Sequence, residues 1–108
     1  ERPAAFQRRY DRIFSGYIFH HFPLNEKVSL VRRLLSDHLT PGGCVAIGDL
    51  AFPHAAAQEA ARQAAGDAWD EEYYWLADES LSAFEAAGIT THFTQVSSCA
   101  GVFRFTSE

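Results

Sequence analysis

"YDRIFSGYIFHHFPLNEK", residues 10–27, is the stretch that decides how this chain folds. Apart from Asp11 and Arg12, its first ten residues are aromatic, aliphatic or small. A short run of this kind reads as a buried strand over residues 10–19. It passes directly into His20 and His21, then Pro23. Two adjacent imidazoles contribute little to the packing of a core strand, so the junction reads as a binding position. Behind it, "NEKVSLVRRLLSDHL", residues 25–39, has the pattern of an amphipathic helix. Val28, Val31, Leu35 and Leu39 recur at helical spacing, and Leu24 extends the stripe. Asn25 is a suitable N-cap, and "TPGG", residues 40–43, stops the helix.

"CVAIGDLAF", residues 44–52, reads as a second strand. Its opening residues are apolar or small, which predicts burial on both faces, as in a parallel sheet. "PHAAAQEAARQAAG", residues 53–66, is an alanine-rich helix with Pro53 near its start and Gly66 after its end. "DEEYYWLADESLSAFEAAGI", residues 70–89, continues helically in two pieces broken near Asp78. The tail "ITTHFTQVSSCAGVFRF", residues 89–105, reads as two strands around a turn near Ser98 to Gly101. A connection this short makes them antiparallel. Strand, helix, strand, helix pair and hairpin together predict an α/β fold: two parallel strands with helices, then an antiparallel hairpin.

A chain of 108 residues, 47% hydrophobic, is one small domain with enough apolar material for a core. The net charge is −5, and the basic pairs Arg8-Arg9 and Arg32-Arg33 are isolated. Nucleic acid is disfavoured as a partner, because phosphate binding needs a clustered positive surface. Neither a membrane span nor a signal-peptide pattern is present. Cys44 and Cys99 lack the spacing of a metal knuckle; a disulfide is the alternative, but they read first as buried free thiols of a cytoplasmic protein. The sequence holds no methionine and opens abruptly on "ERPAAFQRRY", which suggests a fragment.

The ordered set "YDRIFSGYIFHHF", helix, "LTPGGCVAIGDLAF" resembles the fourth strand, fourth helix and fifth strand of a class I S-adenosylmethionine-dependent methyltransferase. The tail "WDEEYYWLADE…AGITTHFTQVSSCAGVFRF" resembles the last helix and closing hairpin in a narrower group of small bacterial methyltransferases. The family also carries a glycine-rich turn that cradles the cofactor and an acidic residue that holds its ribose. Neither occurs here. The resemblance therefore implies the C-terminal half of a Rossmann-like domain over residues 1–108, with the parent an enzyme and this piece inactive alone.

The resemblance implies S-adenosylmethionine as cofactor and a small-molecule methyl acceptor. Ligands of open α/β sheets bind beyond the carboxyl ends of the strands. Ser15, Gly16 and Tyr17 fall at the first such end, and their backbone is expected to face the cofactor, together with His20. His21 and Asp49 are the candidate catalytic residues: a neutral histidine accepts a proton near pH 7, and a carboxylate orients an acceptor or acts as a base. Neighbours in an extended segment cannot easily share one face, so one of His20 and His21 points to the site and the other packs on the helix. Of Tyr73, Tyr74 and Trp75, one or two are expected to pack on the sheet, leaving a ring for the pocket. Asp78 and Glu79 read as a cap and a solvated residue. The five histidines show no metal-ligand spacing. Ser15 lacks the glycine of a nucleophile elbow. If half the fold is absent, the edge of the strand at residues 10–17 is open, which predicts self-association. The rival reading is a non-catalytic interaction module that works through that same edge.

Overall fold

In the computed structural model, residues 9–107 are described. The elements are β1 (Tyr10–Gly16), a 3-10 turn (Phe19–His21), α1 (Leu24–Asp37), β2 (Leu39–Phe52), α2 (Ala55–Ala65), β3 (Trp75–Leu76), α3 (Ala77–Ala86), β4 (Ile89–Gln95) and β5 (Ala100–Ser107). The sheet order is β1-β2-β5-β4. β1 and β2 are parallel, with Ser15 opposite Ile47 and Gly16 opposite Gly48. β5 runs antiparallel to both β2 and β4. The α/β class, the parallel pair and the antiparallel hairpin are all as the sequence indicates.

Both α1 and α3 pack on one face of the sheet. Val31 and Leu35 from α1 and Phe84 from α3 meet Val45, Ile47, Phe103 and Phe105 in the core. Trp75 lies fully buried among them, its ring 4.3 Å from that of Phe103 and 6.1 Å from that of Phe84. The opposite face is different. Cys44, Ala46, Gly48 and Leu50 are only half-buried, and Phe14 is 73% exposed. The expectation of burial on both faces of residues 44–52 is thus corrected over most of that strand. Among the described residues, the second face is covered only near the end of β2, where Phe52 meets Trp69 and Tyr74.

Several boundaries move. β1 ends at Gly16 rather than residue 19, because Tyr17 adopts φ +59° and turns the chain out of the sheet. Pro23, not Asn25, precedes the first helical residue of α1. "TPGG" does not separate α1 from β2; it forms a bulge inside β2, between the pairs Tyr10–Leu39 and Arg12–Cys44. Gly43 is required there, since a Cβ would lie 2.6 Å from the Asp11 carbonyl oxygen. Residues 70–76 are not helical. Residues 70–74 form neither helix nor strand, and Trp75 and Leu76 form β3, which pairs in parallel with Ala51 and Phe52. Both cysteines are free, but Cys99 is exposed in the β4–β5 turn and Cys44 only half-buried, so neither is the buried thiol expected. β1 is an edge strand among the described residues.

Candidate functional site

The site forms where β1 leaves the sheet. Tyr17 donates its N–H to the Gly48 carbonyl, the last rung of the β1–β2 ladder at 2.7 Å. A positive φ at a bulky residue is uncommon and strained. Its effect here is to lift the chain over the end of the sheet, so that the Phe19–His21 turn drops back beside β2. Phe19 anchors that turn in the core at 5% exposure.

The turn delivers His20 to Asp49. His20 Nδ1 lies 2.7 Å from Asp49 Oδ1. Asp49 is fully buried within β2. Its Oδ1 also accepts the Leu50 N–H at 2.8 Å, and Oδ2 accepts the Trp75 indole N–H at 3.2 Å. A buried carboxylate needs such a full set of donors, because an unsatisfied charge in the interior is costly. Asp49 in turn fixes the ring orientation of His20, directing Nδ1 inward and leaving Nε2 as the free nitrogen.

Lys27 completes the arrangement. It is 2% exposed, with Nζ 4.6 Å from the centre of the Trp75 ring and donating to the Tyr73 carbonyl. Burial lowers its pKa to about 8, partly opposed by the negative charges of Asp49 and Glu79. The segment before β3 is held from both sides, since the Tyr73 N–H also donates to the His20 carbonyl at 2.8 Å.

The sequence-predicted residues distribute as follows. His20, not His21, meets Asp49. His21 is largely exposed, its ring centroid 4.2 Å from that of His20, with Nδ1 3.6 Å from Glu72 Oε2. It lines an open cleft of about 340 Å3 with Glu71, Glu72 and Tyr73. Ser15 lies at the end of β1 with its hydroxyl buried and without a hydrogen-bond partner, whereas Gly16 and Tyr17 are exposed. Burial rises along the three consecutive aromatics: Tyr73 is exposed, Tyr74 half-buried and Trp75 in the core. Asp78 and Glu79 are exposed in the first turn of α3, and the Asp78 side chain accepts the Glu79 N–H.

Two residues escape the sequence reading. Lys27 has a visible signal: it stands four residues before Val31 and eight before Leu35, on the buried stripe of α1. Glu72 has none, because only the tertiary fold brings it to the histidines.

No family model matches the sequence, and no curated protein matches it. Solved structures do. The chain resembles DhpI in complex with S-adenosylhomocysteine (SAH), with TM-score 0.67 at 14% identity over 93% of this chain and 48% of that one. It resembles PigF with SAH, with TM-score 0.63 at 14% identity over 91% of this chain and 30% of that one. It also resembles the magnesium protoporphyrin IX methyltransferase ChlM from Synechocystis with bound SAH, with TM-score 0.61 at 12% identity over 93% and 46%. The chain therefore spans about half or less of the length of these neighbours, and over that span its fold is that of the class I S-adenosylmethionine-dependent methyltransferases.

Proposed function

We propose that this chain is the C-terminal part of an S-adenosylmethionine-dependent methyltransferase acting on a small molecule, and that it is inactive alone. The observation that carries the reading is the His20–Asp49 pair, held at the carboxyl ends of two parallel strands, where ligands of such sheets bind. Among the neighbours, one DhpI complex contains S-adenosylmethionine together with HEP, in line with a small acceptor.

The residues present fit one wall of a cofactor site. The Ser15 hydroxyl is an orphaned buried donor beside the exposed backbone of Gly16 and Tyr17. The sequence has no glycine-rich turn to complete the cradle. An apolar groove of about 380 Å3 between β1 and α1, lined by Ile13, Phe22, Leu30 and Leu34 among others, fits a fold whose remaining half packs there. The exposed face around Phe14 agrees with this.

When bound, the sulfonium cofactor supplies an electrophilic methyl group for in-line displacement. The protein's part is position and proton removal. His20 Nε2 takes the proton of the acceptor's hydroxyl or amine as the new bond to carbon forms. Asp49, on Nδ1, stabilises the resulting imidazolium and keeps the ring aligned. In this arrangement His21 does not act as the base; with Glu71, Glu72 and Tyr73 it borders the acceptor's approach.

Titrating labelled S-adenosylmethionine into the purified chain should give no tight one-to-one binding; submicromolar stoichiometric binding would contradict the half-site. The coding sequence upstream of Glu1 provides the stronger check. A glycine-rich turn about 60–90 residues earlier, the length of two βα units, is expected. A start codon immediately before Glu1 would instead favour the interaction module, for which the exposed edge of β1 is the supporting observation.

A further inference from the structure

We infer that His20, His21 and Glu72 form a binding site for a first-row divalent cation of the Zn2+ type. One candidate ligand atom from each lies within 4.8 Å of the other two. The ligand atoms of a tetrahedral zinc, about 2.0–2.1 Å from the metal, stand roughly 3.4 Å apart. His21 Nδ1 and Glu72 Oε2 are already 3.6 Å apart. Two imidazoles and one carboxylate with an open fourth position form a donor set that suits Zn2+ and its neighbours rather than Mg2+ or Ca2+.

Three features make this more than a chance meeting of polar side chains. His20 gives Nδ1 to a fully buried carboxylate, Asp49, which leaves Nε2 for a metal. A carboxylate behind a ligating histidine is the usual way of fixing the ring and raising its basicity. The segment carrying Glu72 is tied to the histidine turn by the Tyr73 N–H on the His20 carbonyl. It is tied again by Lys27 on the Tyr73 carbonyl. And the cleft lined by His21, Glu71, Glu72 and Tyr73 leaves room for water or an oxygen ligand at the open position.

The inference stands apart from the methyltransferase reading, since metal binding requires no cofactor. The two uses of His20 Nε2 exclude one another in one molecule. With the site filled, His20 would hold the cation instead of a proton, and the cation would lower the pKa of a water at its open position.

The test uses the untagged full chain, stripped with a chelator and titrated with Zn2+ by calorimetry and with Co2+ by visible absorption. Saturable binding of a single Zn2+ per chain is expected, with the strong d–d bands of four-coordinate Co2+. His21→Ala and Glu72→Gln, both at solvent-accessible positions, should each weaken Zn2+ at least roughly tenfold with the circular dichroism unchanged. Asp49→Asn should weaken it about 10–100-fold. His38→Ala, His54→Ala and His92→Ala should leave it intact. Absence of saturable binding would overturn the site. So would undiminished binding by the His21→Ala/Glu72→Gln double variant, or loss of binding in any of the three control variants.

Discussion

Asp49 shows how much one residue carries. Its carboxylate accepts from an imidazole, an indole and a backbone amide without touching water. Removing it strands the Trp75 N–H in the core. Asp49→Ala should therefore cost about 3 kcal/mol by urea denaturation, and Asp49→Asn less, because its amide oxygen still accepts. Lys27 gives a second residue-level expectation, with a definite sign. Its pKa falls from 10.5 to about 8 on folding, mainly through desolvation. Below pH 8 both states are protonated, and the full cost of burying the charge is present. Between about pH 8 and 10.5 the unfolded chain binds more protons, so stability rises with pH across that window. Compared with Lys27→Met, the wild-type protein should gain up to about 3 kcal/mol from pH 7 to pH 10.5. A flat difference in denaturation midpoints would show that the ammonium is solvated.

Between residues and fold lie the elements, and two of them are decided by close approach. The bulge in β2 exists because Thr40, Pro41 and Gly42 loop out while Gly43 passes under the Asp11 carbonyl. Gly43→Ala forces that carbonyl away and should cost about 1–3 kcal/mol. Hydrogen exchange should show the loss concentrated in β1, with β4 and β5 unaffected. The segment at 70–76 is instructive in another way. Its composition reads as helix, yet it is not helical. The Tyr73 amide and carbonyl find partners in the His20 carbonyl and Lys27. Trp75 gains complete burial and an acceptor for its indole N–H. Together these outweigh a local preference worth a few tenths of a kcal/mol per residue.

At the scale of the whole molecule, one face of the sheet carries the core and the other carries Phe14. Among the described residues, four of the six exposed large hydrophobics, Tyr10, Phe14, Tyr17 and Ile18, lie along or just beyond the edge strand β1. An apolar edge of this kind recruits partners. Concentration-dependent association is expected in light scattering of the isolated chain. Phe14→Lys, a substitution at an exposed position, should shift the population toward monomer with the circular dichroism unchanged. A wild-type chain that stays monomeric at high micromolar concentration would remove the argument for an unpartnered face.

Periodicity and turn chemistry were enough to determine the alternation of strands and helices, the parallel pairing of β1 with β2, the closing hairpin and the junction at which the site lies. These are local properties: apolar spacing selects the element, and a short connection forces antiparallel strands. The tertiary structure alone decided which histidine meets Asp49, because that choice depends on the left-handed turn at Tyr17. It also decided that residues 70–76 are not helical, that Lys27 is buried, and that Glu72 stands beside His21. Each of these depends on contacts between residues 26 to 53 positions apart, and no local preference encodes them.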